Sequence, residues 1–395
     1  MTRGVIGVLC GLGVLLVAAA GSVCAYQSGV DQRLVSANNQ FGMRLFKDIA
    51  AHKPAENVFI SPSSISAALS MTYNGAAGTT KVAMGDTLGL KGVPMTDVNA
   101  GNLALTGALR SADPKIEIET ANSLWIREAF PIRPEFISES EKFYGAQVSG
   151  LRGAPGTINS WVKQHTHGKI EKLVDRVDPL TVMFLVNATY FKGQWTEPFE
   201  KAATHDHDFH LSGGETKTVP MMWQTGLHEY FQGDGFQEVR LPYGRRSMSM
   251  YIFLPDTDLQ TFYAQLSAEN LDNWMSQVRK TQIQVGVPRF KMDWSGNLNE
   301  PLKALGMRDA FPEGHHDFEN MTPDRSVCIT EVLHKSFLQV DETGTVAAAA
   351  TSVHMGLTAM PVFKSMIVDR PFFLVIRHDT SGEILFMGAV ADPGK

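Results

Sequence analysis

Cysteine is scarce in this chain, and its charge is nearly balanced. The 395 residues include 3 cysteines, and the formal net charge is -6. After residue 25 the sequence has a single cysteine, Cys328, so that part cannot form an internal disulfide and must rely on its core. The apolar neighbours Val327 and Ile329 indicate a buried small side chain rather than a nucleophile. The sequence also lacks a long basic run, which argues against nucleic-acid binding.

The motifs of familiar hydrolases are missing or incomplete. No G-x-S-x-G elbow occurs. Ser160-Trp161-Val162-Lys163 matches the S-x-x-K motif of β-lactamases and penicillin-binding proteins, but no K-T-G follows, since Lys280-Thr281-Gln282 lacks the glycine. A chance match on a helix is the favoured interpretation, and hydrolysis of a β-lactam is the enzymatic alternative. We therefore expect a protein that is not an enzyme.

Residues 1–25 have the form of a signal peptide. Arg3 supplies a positive start, Val5–Ala20 is apolar, and Val23-Cys24-Ala25 has the small residues of a cleavage site. We expect cleavage after Ala25 and a secreted or periplasmic protein, with lipid attachment at Cys24 and a retained anchor as the alternatives. No later apolar stretch is long enough to span a membrane, so we expect no membrane attachment after cleavage.

Hydrophobic periodicity predicts a mixed α+β fold over residues 26–395, and by length alone one large domain is as plausible as two. At 44% hydrophobic residues the chain can bury a large core. Helices are predicted over Asn39–Ala50, from Pro62 after a cap at Ser61 to the glycines Gly75 and Gly78, over Thr157–Val174 and over Leu298–Leu305. Strands are predicted over Asn57–Ile60, residues 121–126, Thr181–Phe191, Met248–Leu254, Gln282–Phe290, Phe373–Ile376 and Ile384–Val390. Helices dominate the first half and strands the second, which is typical of an α+β domain on large sheets.

A long segment of small and polar residues separates the strand-like runs Phe337–Val340 and Phe372–Ile376. Loops of this length inside a compact domain are uncommon and are usually functional or disordered. From Thr345 the odd-numbered positions are small and then apolar, as far as Leu357, whereas the even-numbered positions after Val346 stay small or polar. That alternation fits a strand with one buried face, with Gly344 as its pivot. An Ala-rich helical turn fits the same residues.

Two clusters of polar residues are candidate sites. His205-Asp206-His207-Asp208-Phe209-His210 could bind a divalent metal through alternate histidines on a strand, but a solvated loop is favoured. His334 lies inside an apolar strand and needs hydrogen-bond partners if it is buried. Ser61, Ser64 and Asn187 are chemically suitable partners.

From about Asn39 to Pro393 the chain resembles the serpins, the serine protease inhibitor superfamily. The resemblance rests on segments that occur in the family's order: Asn57–Ile65, Val186–Trp195, Val219–Met222, Val287–Phe290, Leu298–Phe311, Val332–Lys335, the segment from Glu342 to Ala350, and Asp369–Phe373. The resemblance implies a single domain over residues 26–395. Its fold has three β-sheets, eight or nine helices and an exposed reactive-centre loop at about residues 342–366.

The resemblance implies suicide inhibition, in which the cleaved loop inserts into the central sheet and traps the acyl-enzyme. Inhibitory members keep the start of the loop, the hinge, small. The hinge residues here are Glu342, Gly344, Thr345, Ala347, Ala348, Ala349 and Ala350. Val346 and Thr343 depart from the acidic residues common in the family. A non-inhibitory carrier or chaperone is the alternative function.

Two further groups follow from the resemblance. Ser61, Ser64, Asn187 and His334 form a polar cluster, the shutter, where the strands of the central sheet part. Trp195, Arg289 and Glu342 form the entry site of the loop, the breach, and we expect an ion pair between Arg289 and Glu342 there. These residues serve conformation rather than catalysis.

The scissile bond sets the target. Fourteen residues past Gly344, the predicted bond joins Thr358 and Ala359, with Leu357–Thr358 and Ala359–Met360 as alternatives. Small residues there favour an elastase-like or chymotrypsin-like serine protease, held in a covalent complex. Leu357 also suits papain-like cysteine proteases. We expect a monomer that needs neither cofactor nor metal.

Overall fold

The structure is a computed structural model that describes residues 29–345 and 364–394. Within those ranges the α-helices are α1 Gln32–Ala51, α2 Pro62–Gly75, α3 Gly78–Leu88, α4 Met95–Ser111, α5 Pro134–Tyr144, α6 Gly156–His165, α7 Leu259–Gln265, α8 Ala268–Gln277 and α9 Asn299–Ala304. The strands are β1 Val58–Ile60, β2 Ile116–Ile126, β3 Gln147–Gly150, β4 Met183–Gln194, β5 His205–His210, β6 Thr216–Gly233, β7 Phe236–Tyr243, β8 Met248–Pro255, β9 Arg279–Pro288, β10 Phe290–Asn297, β11 Ile329–Asp341, β12 Gly344–Thr345, β13 Lys364–Ile367, β14 Phe372–His378 and β15 Ile384–Val390.

A six-stranded sheet, called the central sheet below, has the order β10-β11-β12-β4-β2-β3. Strand β4 is a nearly continuous buried run, as expected of a strand covered on both faces. It pairs antiparallel with β2 and parallel with β11. The two residues of β12 lie between β11 and β4 at one end of this pair.

The remaining strands form a nine-stranded sheet with the order β1-β15-β14-β8-β7-β6-β9-β13, in which β5 pairs with β6. The 18-residue strand β6 is shared by two groups of strands. It pairs with β5 over residues 216–221 and with β7 over residues 229–233. With the central sheet, these two groups account for the three sheets that the family resemblance implies, and the nine α-helices of the described ranges agree with the expected number.

Three predictions differ from the structure. The helix predicted over Thr157–Val174 ends at His165, and the Asn159 Oδ1 atom accepts hydrogen bonds from the backbone N–H groups of Leu173 and Val174, both at 2.9 Å. The chain therefore folds back along α6 instead of continuing it. The histidine-rich segment expected to be a loop is strand β5, paired along its length with β6. Gly78, expected to end a helix, begins α3.

Apolar side chains pack in one extended core between the sheets and the helices. A second cluster lies under α6, on the opposite face of the central sheet. It joins Ile158, Trp161 and Val162 of α6 to Trp125 of β2 and Val186 of β4. None of the helices in the described part of the chain is both long and apolar enough to cross a membrane.

Candidate functional site

The candidate site is the boundary between β4 and β11, called the seam below. The two strands pair directly and in parallel, from Ile329 opposite Met183 to Phe337 opposite Tyr190. The rings of Tyr190 and Phe337 contact each other with their centroids 6.0 Å apart. Beyond this pair the strands part and β12 fills the gap.

The hinge residues Gly344 and Thr345 form β12, so the hinge has already entered the central sheet. Gly344 lies opposite Asp341 and Gln194, and Thr345 opposite Val340 and Gly193. Both pairings are antiparallel. The strand thus runs against both of its neighbours and points along the seam.

Glycine is required at position 344 because of its backbone and its surroundings. Gly344 has φ +142, which side chains rarely adopt, and a Cβ atom there would lie 2.1 Å from the carbonyl oxygen of Gly193. It would also lie 2.7 Å from the Cα atom of Gln194. At the position predicted to be the pivot, Gly344, the backbone of β12 therefore passes very close to the backbone of β4.

Trp195 holds the chain just before the hinge. Its indole Nε1–H donates to the carbonyl oxygen of Asp341 at 2.9 Å, and its backbone N–H donates to that of Thr343 at 3.0 Å. The indole stacks on Tyr243 at a centroid distance of 4.4 Å. The Tyr243 hydroxyl and the Thr345 hydroxyl are hydrogen-bonded at 3.0 Å. Tyr243 was not among the predicted site residues, since its place at the end of β7 gives no sign that it meets the hinge.

Glu342 and Arg289 form the ion pair expected at the breach. The Arg289 Nε–H donates to Glu342 Oε1 at 2.7 Å, and the Arg289 Nη2 atom contacts the same oxygen. The Thr204 hydroxyl donates to it at 2.5 Å. The Glu342 side chain is 3% exposed. Burial alone would raise the pKa of Glu342, but the hydrogen bonds from Arg289 and Thr204 outweigh burial and the pKa is lowered.

The structure also brings together the four shutter residues. His334 and Asn187 lie opposite each other across the seam, with His334 Nδ1 2.6 Å from Asn187 Oδ1. The Ser61 backbone N–H donates to His334 Nε2 at 3.1 Å, so the imidazole is neutral with its proton on Nδ1. His334 is fully buried, and burial lowers its pKa to about 3.

Asn187 connects the shutter to both neighbouring strands and to α2. Its amide nitrogen donates to Ser64 Oγ at 2.5 Å and to Asn122 Oδ1 at 2.6 Å. The Ser61 hydroxyl donates to the carbonyl oxygen of Leu385 at 2.7 Å. Asn122 was not among the predicted site residues, although a buried amide side chain in the apolar half of β2 was an available signal.

Several predicted residues lie outside the described ranges. These are the hinge residues Ala347–Ala350, the candidate scissile residues Leu357, Thr358, Ala359 and Met360, and the signal peptide 1–25. Among the other candidates, Cys328 is buried, and burial raises the pKa of its thiol. In β5, His205 and His207 flank the indole of Trp223 at centroid distances of 5.3 and 5.4 Å.

Comparison with known proteins identifies relatives over nearly the whole chain. Residues 36–393 match the family model for serpin (serine protease inhibitor). The leukocyte elastase inhibitors of Bos taurus and Homo sapiens are 36% and 35% identical over 380 residues, which is 92% of this chain and 100% of each relative. Among solved structures, human thyroxine-binding globulin has a TM-score of 0.85 at 28% identity, covering 92% of this chain and 100% of that one. The thermophilic serpin tengpin in its native state also has a TM-score of 0.85, at 30% identity, covering 93% and 96%.

Proposed function

Because this chain belongs to the serpin family of serine protease inhibitors, we propose that it is an exported suicide inhibitor of an elastase-like or chymotrypsin-like protease. It acts as a monomer and forms a covalent complex with its target. The observation that carries this proposal is the placement of the hinge. Gly344 and Thr345 are paired on both sides between β11 and β4, and the seam continues directly ahead of them.

Continuing the observed pairing gives the register of the inserted loop. Residue 345 lies opposite 340 and 193, so residue 351 would lie opposite His334 of β11 and Asn187 of β4. In that register the even-numbered loop residues share the face of Val186 and Leu333, under α6. The odd-numbered residues share the face of Leu185 and Val332, toward the main core. The alternation in the sequence agrees with this assignment.

Insertion has a clear source of free energy. Since β4 and β11 are parallel to each other, a strand between them that is antiparallel to both replaces one parallel pairing with two antiparallel ones. Antiparallel pairing is slightly more stable per residue, and the new strand also buries the apolar side chains of the odd-numbered set. The intact protein is therefore less stable than its cleaved, inserted form.

The chemistry belongs to the protease. Its serine Oγ attacks the carbonyl carbon of Thr358 and an ester forms there. The bond to Ala359 breaks, and the Ala359 nitrogen takes up the proton that the serine hydroxyl has lost and leaves as an amine. Insertion of the loop then moves the attached protease to the far end of the central sheet before water hydrolyses the ester. Relatives named leukocyte elastase inhibitor support an elastase-like target. The loop also fits a papain-like cysteine protease, which would form a thioester.

Mixing the mature protein with elastase, chymotrypsin and papain tests the proposal. The expected result is a complex that survives boiling in SDS, together with a released C-terminal peptide whose sequence begins at Ala359. A peptide that begins beyond residue 364, or complete digestion of the loop with an unharmed protease, would overturn the proposed function. Denaturing gels and N-terminal sequencing decide between these outcomes.

The proposal of export rests on residues 1–25. The mature N-terminus of the protein recovered from the extracellular or periplasmic fraction should be Tyr26. A protein that keeps Met1, or one that carries lipid on Cys24, would contradict it. Mass spectrometry of the intact protein separates the three cases.

A further inference from the structure

We propose that Glu117, Glu119 and His167 form a binding site for a divalent metal ion such as Zn²⁺, and that the bound ion slows insertion of the reactive loop. The two glutamates lie on β2 at positions that share one face of the strand. His167 follows α6, in the turn where the chain folds back. One oxygen of each carboxylate and one ring nitrogen lie within 4.8 Å of one another.

The distances suit a tetrahedral ion. His167 Nε2 lies 3.4 Å from Glu119 Oε1 and 3.8 Å from Glu117 Oε1. Nitrogen and oxygen ligands at the usual ~2.0–2.2 Å from Zn²⁺ are about 3.3–3.6 Å apart along the edges of a tetrahedron. The observed separations therefore need only a small adjustment. Imidazole with carboxylates is a donor set that Zn²⁺ accepts, and a water molecule would complete it.

Lys192 pairs with the oxygen of Glu117 that is not needed for binding the metal ion. Its Nζ atom lies 3.5 Å from the other oxygen of Glu117, Oε2, so Oε1 remains directed toward His167. The three side chains are between 32% and 61% exposed, which gives an ion access from solvent. His167 also has φ +50, a backbone conformation that fixes the turn in which it lies.

The position of the site connects it to loop insertion. Helix α6 and the segment after it, called the cover below, pack on Val186 of β4 and reach Leu333 of β11. The cover therefore spans the seam. Glu117 and Glu119 lie opposite Lys192 and Tyr190 of β4. In the register of β12, residues 346 and 348 would lie beside those same two residues as the loop enters.

An ion held by β2 and His167 would fasten the cover to the sheet next to the entrance. Even-numbered loop residues must pass beneath the cover, which has to give way while the seam opens. A fastened cover therefore slows insertion and leaves the acyl-enzyme more time to hydrolyse. This regulatory effect rests on the proposed inhibitory function, whereas metal binding itself does not.

Calorimetric titration of the intact mature protein with Zn²⁺ tests the site. His167→Gln removes an exposed ligand and Glu119→Gln a half-buried one, and each is expected to weaken binding by at least about tenfold. The His205→Gln/His207→Gln double variant is the control, since the exposed His205 and the half-buried His207 share one face of β5 and form the other candidate metal site. It should bind Zn²⁺ like the unmodified protein. Binding that survives in His167→Gln and disappears in the control would overturn the site.

The second measurement is the ratio of cleaved inhibitor to covalent complex after reaction with the protease, at increasing Zn²⁺. The ratio should rise in the unmodified protein and stay constant in His167→Gln, which also controls for effects of Zn²⁺ on the protease. A constant ratio in both proteins would overturn the regulatory role while leaving the site. If no protease forms a complex, the inhibitory function fails, and the titration still decides whether the metal site exists.

Discussion

Replacing Gly344 with alanine tests how closely the hinge must approach β4. The new Cβ atom would meet the carbonyl oxygen of Gly193 at 2.1 Å, so β12 has to leave its place or strain its neighbours. We expect the intact form to lose about 1–3 kcal/mol and complexes to form more slowly. The rate of unfolding in denaturant and the rate of complex formation are the measurements.

Gly235→Ala is the matched control for that variant. Gly235 also has a left-handed backbone, with φ +75, but a Cβ atom there would meet nothing within 4 Å. It should therefore show the cost of the backbone alone and leave complex formation unchanged. Equal effects of the two substitutions would contradict a specific role for the close approach at Gly344.

His334 is expected to make the protein sensitive to acid. Its pKa is lowered to about 3 by burial, whereas in the unfolded chain it is about 6.5. Between those pH values the unfolded state binds a proton that the folded state does not, so stability falls as the pH drops from 6.5 toward 3. In His334→Gln this part of the pH dependence should vanish, although the variant loses hydrogen bonds at every pH.

Free energies of unfolding, determined in denaturant between pH 7 and pH 4, measure that difference. His52→Gln, at an exposed position after α1, is the control and should keep the pH dependence of the unmodified protein. Parallel pH profiles for His334→Gln and the unmodified protein would show that His334 does not bear on acid sensitivity.

Glu238 is expected to limit stability at alkaline pH. It is fully buried in β7, neither of its oxygens has a hydrogen-bond partner among the residues that the structure describes, and burial raises its pKa to about 8. The folded state therefore holds a proton that the unfolded state has lost, and this contribution to stability declines as the pH rises from about 4.5 to 8.

The isosteric variant Glu238→Gln tests this. It should be about as stable as the unmodified protein at pH 4.5 and more stable, by an amount on the order of a few kcal/mol, at pH 8. Glu269→Gln, in the exposed first turn of α8, should change little. A stability difference between Glu238→Gln and the unmodified protein that does not change with pH would refute the assignment.

At the scale of elements, the proposed inhibition depends on β12, of which the structure describes two residues. Thr345 is fully buried and its hydroxyl is bonded to that of Tyr243. In Thr345→Arg an unpaired positive charge would have to be buried at this position, and the free energy of burying such a charge is strongly unfavourable. We expect the protease to cut the loop at the same bond and to leave intact, so that gels show cleaved inhibitor and little complex.

Thr216→Arg makes the same change at an exposed strand position, and it should still form the complex. If Thr345→Arg retained the complex in the same yield, insertion would not begin at β12. If both variants lost it, added positive charge rather than burial would be the cause.

Elements with strong periodicity could be predicted from the sequence. Strand β15 has the predicted bounds Ile384–Val390, and the cap at Ser61 with Pro62 begins α2 as expected. The predicted helix over Thr157–Val174 was wrong beyond His165, because its apolar residues Ile170 and Val174 continue to face the sheet without helical hydrogen bonds. Hydrophobic periodicity indicates which side of a segment is buried, but it does not tell whether the backbone there is helical or irregular.

The candidate site was predictable to the extent that it consists of recognisable segments. The family resemblance pointed to His334, Asn187 and Arg289. It did not point to Tyr243, Asn122 or Thr204, which reach the same sites from other strands or from the segment before β5. Such contacts depend on the register between strands and on how the sheets pack together. A local sequence pattern contains no information on either.

At the scale of the whole molecule, cleavage of the loop should stabilise the protein. A complete strand between β4 and β11 adds pairing on both sides, and a gain comparable with ordinary domain stability, about 5–15 kcal/mol, is expected. The thermal midpoint should rise by at least about 10 °C after cutting. Calorimetry of the intact and the cut protein measures this change.

Thr345→Arg serves again as the comparison, because its cut loop should remain outside the sheet and its midpoint should hardly change. If the unmodified protein melts at the same temperature before and after cutting, the intact form is not metastable. The protein would then resemble the carriers of its family more than the inhibitors.

The direction of β12 has a geometric consequence for the products of cleavage. The hinge enters beside Val340 and points toward Ile329, along a strand of 13 residues, whereas β13 pairs with β9. Strand β9 leads through Arg289 into Phe290, which lies opposite Val340, so β13 belongs to the end of the molecule where the hinge enters. After insertion, the carbonyl carbon of Thr358 and the nitrogen of Ala359 would thus lie at opposite ends of the molecule, roughly 40 Å apart. If the loop inserts as proposed, this distance alone prevents the protease from rejoining the two ends.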